Sequence, residues 1–291
     1  MRILITGGSG FIGNALATYL NKENDIVILD NYTTSKSNNK IKNIKYIYGN
    51  TWEIEKINTD LNFDIIFHFG EYSRISTSFA DIKYVLKSNL YGTSCIIEMC
   101  RKRNIKLIYS ASSSKFGNNG EDENLCPYAW TKAKNVELIK NYHKWFNLQY
   151  EICYFYNVYG ENEISEGDYA TLIGIFTTQF LNNEPLTIVG DGSQTRQFTY
   201  INDIINGVSK TIKIHMNKEW FLSSHQDYSI KKVAEMFGGK IKYIPKRKGE
   251  RYKTIKIKND TEKLLNWSAN YKLKDWIDKI KNGKRKKKNT D

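Results

Sequence analysis

A glycine-rich loop near the start of the chain constrains its fold most strongly. Residues 6–13 read Thr-Gly-Gly-Ser-Gly-Phe-Ile-Gly, and they follow an apolar segment that predicts a buried strand. Gly7, Gly10 and Gly13 let the backbone turn tightly and let a pyrophosphate approach the N-terminus of the helix that follows. The loop therefore predicts a strand–loop–helix unit that binds a dinucleotide.

A carboxylate at the end of the second predicted strand indicates which dinucleotide binds. Asp30 ends the segment 25–30 and lies 17 residues past Gly13. A carboxylate there accepts hydrogen bonds from the adenosine ribose hydroxyls and repels a 2′-phosphate. We therefore expect NAD rather than NADP, the alternative being an exposed turn aspartate with no role in binding.

Strand-like and helix-like segments alternate through the first half of the chain, which predicts an α/β fold with a parallel sheet covered on both faces. The strand-like segments are residues 2–6, 25–30, 44–48, 64–69, 106–110 and 149–155. The helix-like segments are residues 10–21, 86–103 and 128–146. We expect a Rossmann, doubly wound sheet with a smaller C-terminal substrate-binding lobe.

The domain boundaries follow from where this alternation weakens. Residues 1–157 are expected to form the NAD-binding domain, with the helical segment 201–215 packing back on it. Residues 158–282 are assigned mainly to the substrate-binding lobe. The lysine-rich residues 283–291 are expected to form a disordered basic tail.

A tyrosine and a lysine four residues apart form the candidate catalytic pair. Tyr128 and Lys132 fall on one face of a predicted helix, and an ammonium group beside a phenol stabilises the phenolate. A hydroxyl-rich segment, residues 109–117, precedes them, and one of its serines can hydrogen-bond the same substrate oxygen. The alternatives are a surface helix and serines that only cap turns.

Composition and charge exclude several other classes of function. The net charge is +13, but eight of the 44 basic residues are arginine and the basic residues are spread along the chain, so we expect no nucleic-acid partner. No apolar stretch is long enough to span a membrane. The cysteines have no metal-ligand spacing and indicate reduced thiols in a cytoplasmic protein without a leader or bound metal; they are Cys95, Cys100, Cys126 and Cys153.

Taken together, the glycine loop, the serine segment and the Tyr-x-x-x-Lys helix resemble the extended short-chain dehydrogenase/reductase family, and most closely its nucleotide-sugar epimerases and dehydratases. Further segments of the chain are similar to motifs of that family. They are residues 66–70 on the fourth strand, residues 89–93 at a helix start, residues 156–160, residues 186–203 and residues 247–250.

The resemblance implies a role for each matching residue. Tyr128 is the base and acid, Lys132 tunes it and holds the nicotinamide ribose, and Ser112 hydrogen-bonds the reacting hydroxyl. The residues implied to bind NAD, besides Tyr128 and Lys132, are Gly7, Gly10, Phe11, Ile12, Gly13, Asp30, Asn31, Asn50, Thr51, Phe69, Gly70 and Asn89. Those implied to bind the nucleotide sugar, besides Ser112, are Ser113, Asn157, Arg196 and Arg247.

Glu71 and Arg74 depart from the family's pattern, which has an alanine pair at residues 70 and 71. We expect both side chains to face the sugar or its phosphates, and a surface ion pair is an equal alternative. A second departure concerns the reaction, because the family's 4,6-dehydratases place Asp-Glu directly after the catalytic hydroxyl residue. Ser113 and Ser114 stand there in this chain and cannot eliminate water.

The resemblance thus implies NAD-dependent C4 epimerisation of a UDP-hexose through a 4-keto sugar. A 4,6-dehydratase and a uronate decarboxylase of the same family are the alternatives, and a catalytically idle NAD-binding scaffold is an alternative of another class. The two helix-like segments 86–103 and 128–146 resemble the pair that forms a dimer interface in this family. We therefore expect a homodimer, with apolar surface from Trp130, Val136, Tyr142 and Trp145.

Overall fold

The computed structural model describes residues 1–35, 40–57, 62–116, 123–249, 251–253, 255 and 257–288. Some of the expectations above concern residues that lie outside the described ranges, namely Gly117, Glu250 and residues 289–291.

Thirteen strands are found in the described part of the chain. They are β1 (Arg2–Thr6), β2 (Asp25–Asp30), β3 (Lys45–Tyr48), β4 (Ile65–His68), β5 (Lys106–Ser112), β6 (Tyr150–Phe155), β7 (Val158–Tyr159), β8 (Leu186–Val189), β9 (Thr195–Gln197), β10 (Thr199–Tyr200), β11 (Glu219–Leu222), β12 (Asp227–Ser229) and β13 (Ile241–Ile244). Seven of them form one parallel sheet in the order β11-β6-β5-β4-β1-β2-β3. This order reverses between β1 and β4, which confirms the doubly wound fold.

Helices connect these strands and cover the sheet. The α-helices are α1 (Phe11–Leu20), α2 (Ile54–Ile57), α3 (Ile82–Val85), α4 (Gly92–Arg103), α5 (Pro127–Phe146), α6 (Leu172–Leu181), α7 (Ile201–Lys210), α8 (Ile230–Phe237), α9 (Thr261–Leu265) and α10 (Leu273–Lys288). Single 3₁₀ turns span Thr51–Glu53, Thr77–Phe79, Ser113–Phe116 and Thr211–Lys213, and a π-helical segment spans Leu86–Tyr91. No helix in the described ranges is both long enough and apolar enough to cross a membrane.

The hydrophobic core lies on both faces of the sheet because side chains alternate along each strand. On β1, Ile3 and Ile5 belong to the cluster that includes α1, α7 and the C-terminal lobe. Leu4 lies between them in sequence and belongs to the opposite cluster, which includes Ile96 of α4 and Val136 of α5. The sheet is therefore buried on both sides, and its strands are almost continuously apolar.

All six strands expected from the first half of the chain are present, with ends shifted by at most two residues. The expected helix 86–103 is divided, since its first part is π-helical and α4 begins only at Gly92. The expected packing of residues 201–215 on the first domain is also present, because α7 contacts α1.

The assignment of residues 158–282 mainly to the second lobe missed a strand of the main sheet. Residues 219–222 form β11, which pairs with β6 at the edge of the sheet. The buried carboxylate of Glu151 holds this segment in place by accepting hydrogen bonds from Trp220 Nε1 at 2.7 Å and from the Met216 backbone N–H at 2.8 Å. These contacts are long-range, so no local pattern in a four-residue strand indicates them.

The smaller lobe is built from short strand pairs and two helices. β8 pairs with β13 in parallel, and β9 pairs with β12 in antiparallel orientation. Helices α6 and α8 pack together through Phe176 and Phe237, whose ring centroids lie 6.0 Å apart. This lobe closes over the carboxyl edge of the main sheet and forms one wall of the main cavity.

The expected disordered tail is wrong for residues 283–288, because α10 continues to Lys288. Two lysines fasten this helix to the smaller lobe. Lys281 Nζ donates to the Met236 carbonyl at 2.9 Å, and Lys284 Nζ donates to Asn183 Oδ1 at 2.8 Å. These contacts with neighbouring segments stabilise a stretch whose composition alone favours disorder.

Candidate active site

The strand register brings the candidate residues to one edge of the sheet. Thr6 pairs with His68, His68 with Tyr109, and Ser112 with Phe155, so β1, β4, β5 and β6 end together. The segments that follow these strands line one cavity of about 570 Å³ between the sheet edge and the smaller lobe. Ligands of doubly wound sheets bind at this edge, where the strand order reverses.

The glycine loop forms the floor of the cavity at its cofactor end. Gly7 has φ of +68°, and a Cβ there would lie 2.8 Å from the backbone nitrogen of Gly70, so both the turn and the close approach require glycine. Gly10 precedes α1 without a side-chain cap, which leaves the first N–H groups of the helix open to an anion. The Ser9 hydroxyl beside it is buried and has no hydrogen-bond partner among the described residues. The loop therefore fits a pyrophosphate.

Asp30 is held beside this loop by backbone donors. It is 8% exposed and accepts hydrogen bonds from the Ser9 and Tyr32 N–H groups, both at 2.8 Å. Asn31 and Asn50 lie next along the cavity wall, joined by a 2.8 Å bond from Asn31 Nδ2 to Asn50 Oδ1. A fixed carboxylate followed by amide groups fits the ribose and adenine of NAD, as the sequence indicates.

The candidate catalytic pair, Tyr128 and Lys132, lies on the first two turns of α5. Pro127 occupies the first helical position, and the Cys126 sulfur caps the helix by accepting the Ala129 N–H at 3.4 Å. Tyr128 and Lys132 both line the cavity, as does Ser112 at the end of β5. The structure thus brings these three side chains to the lining of the same cavity.

Glu71 does not face the substrate as expected, and its alternative, a surface ion pair, is also wrong. Its carboxylate is 1% exposed and forms an ion pair with Lys132, whose ammonium also donates to the Ser110 carbonyl at 2.5 Å. The Glu71 carboxylate also accepts hydrogen bonds from Asn135 Nδ2 at 2.7 Å and from Thr93 Oγ1 at 2.9 Å. The Lys132 ammonium and the Glu71 carboxylate are buried together because either charge alone would be unfavourable there.

Neutral groups surround this buried pair. Burial raises the pKa of Tyr109 well above its ordinary value, so its hydroxyl stays protonated and donates to Glu71 at 3.1 Å. Burial also lowers the pKa of His68 to about 4, so this imidazole is neutral. His68 lies between the hydroxyls of Thr6 and Thr93, at 2.7 and 2.8 Å. The polar layer beneath the cavity therefore contains one balanced pair of charges.

Asn89 is the one expected cofactor residue that does not line the cavity. It is fully buried, and its amide bonds both backbone groups of Tyr72, at 2.7 and 3.0 Å, and the Thr131 hydroxyl at 3.0 Å. These bonds use the side chain to connect the segment after β4 with α5. Its contribution is therefore to position the wall that carries Tyr128.

The expected nucleotide-sugar residues line the other end of the cavity. Asn157 donates to the Gln197 carbonyl at 2.7 Å, and Arg196 donates to the carbonyls of Thr195 and Arg251, each at 2.8 Å. Arg74 lies over the ring of Tyr169 at 5.5 Å. Arg247 and Ser113 also line this end.

Sequence reasoning missed Arg251, which lines the cavity and is 5% exposed. Its guanidinium donates to the Ser113 carbonyl through Nη1 and to Ser113 Oγ through Nη2, the latter at 3.0 Å. Ser113 is thus occupied by a protein contact rather than left free for the substrate as expected. Arg251 lies 138 residues away from Ser113, and no motif around it signals this contact.

Comparisons with known proteins agree with this geometry. The model of the NAD dependent epimerase/dehydratase family matches residues 3–219. A putative UDP-glucose 4-epimerase of Methanocaldococcus jannaschii is 32% identical over 96% of this chain and 97% of its own length. A dTDP-D-glucose 4,6-dehydratase of Dictyostelium discoideum is 31% identical over 70% of this chain and 54% of its own.

Among solved structures, the UDP-glucose 4-epimerase of Thermotoga maritima with UDP-glucose superposes with a TM-score of 0.89, at 22% identity, over 95% of this chain and 96% of its own. At that identity the match shows the fold. Relatives with two different reactions are therefore similar to this chain.

Proposed function

Since the chain belongs to the NAD dependent epimerase/dehydratase family, we propose that it interconverts the C4 epimers of a UDP-hexose through a 4-keto sugar. One observation carries the proposal. Tyr128, Lys132 and Ser112 meet on one wall of the cavity, and the serines that follow Ser112 offer no acid or base for elimination.

Tyr128, Ser112 and Lys132 have different roles in the oxidation and reduction at C4. Tyr128 takes the proton of the C4 hydroxyl as the C4–H bond breaks, and Ser112 hydrogen-bonds the same oxygen. NAD, when bound, accepts the hydride and returns it to the opposite face of the keto sugar. Tyr128 then gives the proton back to the C4 oxygen, so no net oxidation results. Lys132, held by Glu71, would contact the nicotinamide ribose when NAD is bound and would supply positive charge on the same helix face as Tyr128.

The surroundings of Ser112 favour epimerisation over 4,6-dehydration. Arg251 holds Ser113, and the Ser114 hydroxyl donates to Ser112 Oγ at 2.9 Å. In the described part of the cavity lining, the carboxylates are Asp30, Glu71 and Asp168. The first lies at the adenosine end, the second is paired with Lys132, and the third lies on an exposed loop. None is placed beside Tyr128 as an added base.

The pairing of Glu71 with Lys132 also disfavours a uronate decarboxylase that would use Glu71 and Arg74 as its partners. A catalytically idle scaffold would not require the catalytic residues to converge as they do. These arguments support an active enzyme, and the reaction itself is what the experiment decides.

The test is NMR of the purified protein with UDP-glucose, UDP-N-acetylglucosamine and other nucleotide hexoses, without added NAD. We expect the C4 epimer to accumulate to equilibrium, and Tyr128→Phe to abolish the change while keeping its NAD. A stable 4-keto-6-deoxy sugar would instead establish a dehydratase. No turnover of any nucleotide sugar by a protein with bound NAD would favour the scaffold.

Two further proposals concern assembly and location. Trp145, 60% exposed, and Phe146, 51% exposed, cluster with Tyr142 at the end of α5, and they support a homodimer through α4 and α5. Val136 does not contribute, because it is buried against the sheet. Sedimentation should show a dimer that Trp145→Glu dissociates. Free thiols at all four cysteines agree with a cytoplasmic location.

A further inference from the structure

Two arginines of the cavity have no acidic partner. Arg74 Nη1 donates to the neighbouring Ser73 carbonyl at 3.1 Å, whereas Arg74 Nε is buried and has no acceptor. Arg251 donates to the carbonyl and hydroxyl of Ser113, which are both uncharged. Among the described residues no carboxylate lies within 4.0 Å of either guanidinium group.

Burial makes the charged forms of Arg74 and Arg251 unfavourable. Burial lowers the pKa of both Arg74 and Arg251, and the nearby Tyr128 hydroxyl opposes that shift in each case. A guanidinium group removed from water and not paired is unfavourable, and an anion that binds it removes that cost. The site is therefore prepared for a negative charge close to Tyr128.

Two groups of a nucleotide sugar could supply this negative charge, the diphosphate and a carboxylate on the sugar ring, and they differ in their distance from C4. Tyr128 acts at C4 of the sugar, whereas the diphosphate is attached at C1, on the opposite side of the ring. A carboxylate at C6 is bonded to C5 and lies next to C4. Arg196 and Arg247 also line the cavity, and they are the arginines expected to bind the diphosphate. Two additional cations beside Tyr128 are therefore placed for an acidic group on the sugar ring.

We propose that Arg74 and Arg251 form a subsite for the C6 carboxylate of the substrate, so that the protein acts on a nucleotide hexuronate in preference to a neutral hexose. The planar guanidinium matches a carboxylate with two parallel hydrogen bonds. This inference rests on the proposed function and narrows its substrate class. The diphosphate is the other possible source of the anion, and the experiment separates the two.

The experiment compares UDP-glucuronate with UDP-glucose, first in wild-type protein and then in variants. Wild-type protein should bind UDP-glucuronate more tightly by calorimetry and turn it over with a kcat/KM roughly 10- to 100-fold higher. Arg74→Met should remove most of that preference, so that kcat/KM falls further for UDP-glucuronate than for UDP-glucose. Arg2→Met is the matched control, because Arg2 pairs with Asp25 at an exposed position at the start of β1, outside the cavity lining.

The possible outcomes decide between the claims. Equal affinity of the wild-type protein for the two sugars rejects the subsite and leaves the proposed epimerisation intact. An equal loss on both sugars, or weaker binding of UDP itself in Arg74→Met, assigns Arg74 to the diphosphate and also rejects the subsite.

Preference for UDP-glucuronate with release of CO₂ keeps the subsite and rejects epimerisation. If Arg74→Met does not fold, Arg74→Lys and the wild-type affinities still decide the question. Arg74→Lys keeps the charge without the planar pair of donors, so part of the preference should survive in it.

Discussion

The two ends of the cavity are built differently. At the cofactor end the charged side chains already have partners, since Asp30 accepts two backbone N–H groups and Lys132 is paired with Glu71. At the substrate end Arg74 and Arg251 remain without a carboxylate in the described residues. The charges of the first end are therefore paired before a ligand binds, whereas the two arginines of the second end can be neutralised by a ligand. The first arrangement suits a cofactor that is retained, and the second suits a substrate that is exchanged.

The largest expected effect is on the catalytic residue that lies between the two ends. Tyr128→Phe removes the oxygen that takes the C4 proton, and we expect turnover to fall about 10³-fold. The NAD content of the purified protein should remain at the wild-type level, because Asp30 and the glycine loop are unchanged. A variant with turnover within threefold of wild type would assign the base to another residue.

Breaking the ion pair at the cofactor end should have a large effect on stability. Glu71→Gln leaves the buried Lys132 ammonium unpaired, and we expect the free energy of unfolding to fall by about 3 kcal/mol in urea titrations. The double variant Glu71→Gln/Lys132→Met should recover most of that loss.

Glu55→Gln is the control for this pair. Its ion pair with Lys102, at 3.0 Å, is exposed, so we expect a change below about 1 kcal/mol. Similar losses for the exposed and the buried pair would contradict the account of the cofactor end.

Glu163, at the substrate end, should make stability depend on pH. Burial raises the pKa of Glu163, in the loop before α6, to about 7 from an ordinary 4.5. The folded chain therefore keeps a proton that the unfolded chain releases, so stability from this group is full below pH 4.5 and declines as the pH rises to about 7.

Denaturation at a series of pH values should show this decline as the difference between wild-type protein and Glu163→Gln, because His68, whose pKa burial lowers to about 4, contributes stability that rises over the same range in both proteins. Because residues 164 and 168–171 line the cavity, UDP binding should weaken over the same range while NAD binding does not. Parallel profiles for wild type and Glu163→Gln would remove Glu163 from the explanation.

The smallest expected effect is a gain in the free energy of unfolding, opposite in sign to the loss expected for Glu71→Gln. Arg74→Met replaces an unpaired buried cation with an apolar side chain, and we expect the unliganded protein to gain about 1 kcal/mol of stability. Thermal unfolding without nucleotide sugar measures this gain. A loss as large as that of Glu71→Gln would show that Arg74 has a structural partner, and the contrast between the two ends would disappear.

The two ends of the cavity also differ in how far the sequence predicts them. The cofactor end comes from short contiguous motifs, residues 6–13 with Asp30 and Tyr128 with Lys132, whose spacing determines their geometry. Arg251 and β11 depend on contacts with Ser113 and Glu151 over long sequence separations, and no local pattern reports them.

Glu71 and Asn89 illustrate a different limit of sequence reasoning. The sequence predicts a ligand contact for both residues, but it does not show whether a polar side chain points into the cavity or into the protein beneath it. Here the buried ammonium of Lys132 and the backbone of Tyr72 determine their direction.

The most direct test of the central claim follows a deuterium label at C4. UDP-glucose and UDP-glucuronate, each carrying deuterium at C4, are incubated with the protein in ordinary water, and the products are examined by NMR. Removal and return of the same hydride predicts a C4 epimer that keeps its deuterium at C4. A C4 epimer with hydrogen from water at that position, or a product changed at C6 without inversion at C4, would contradict the account.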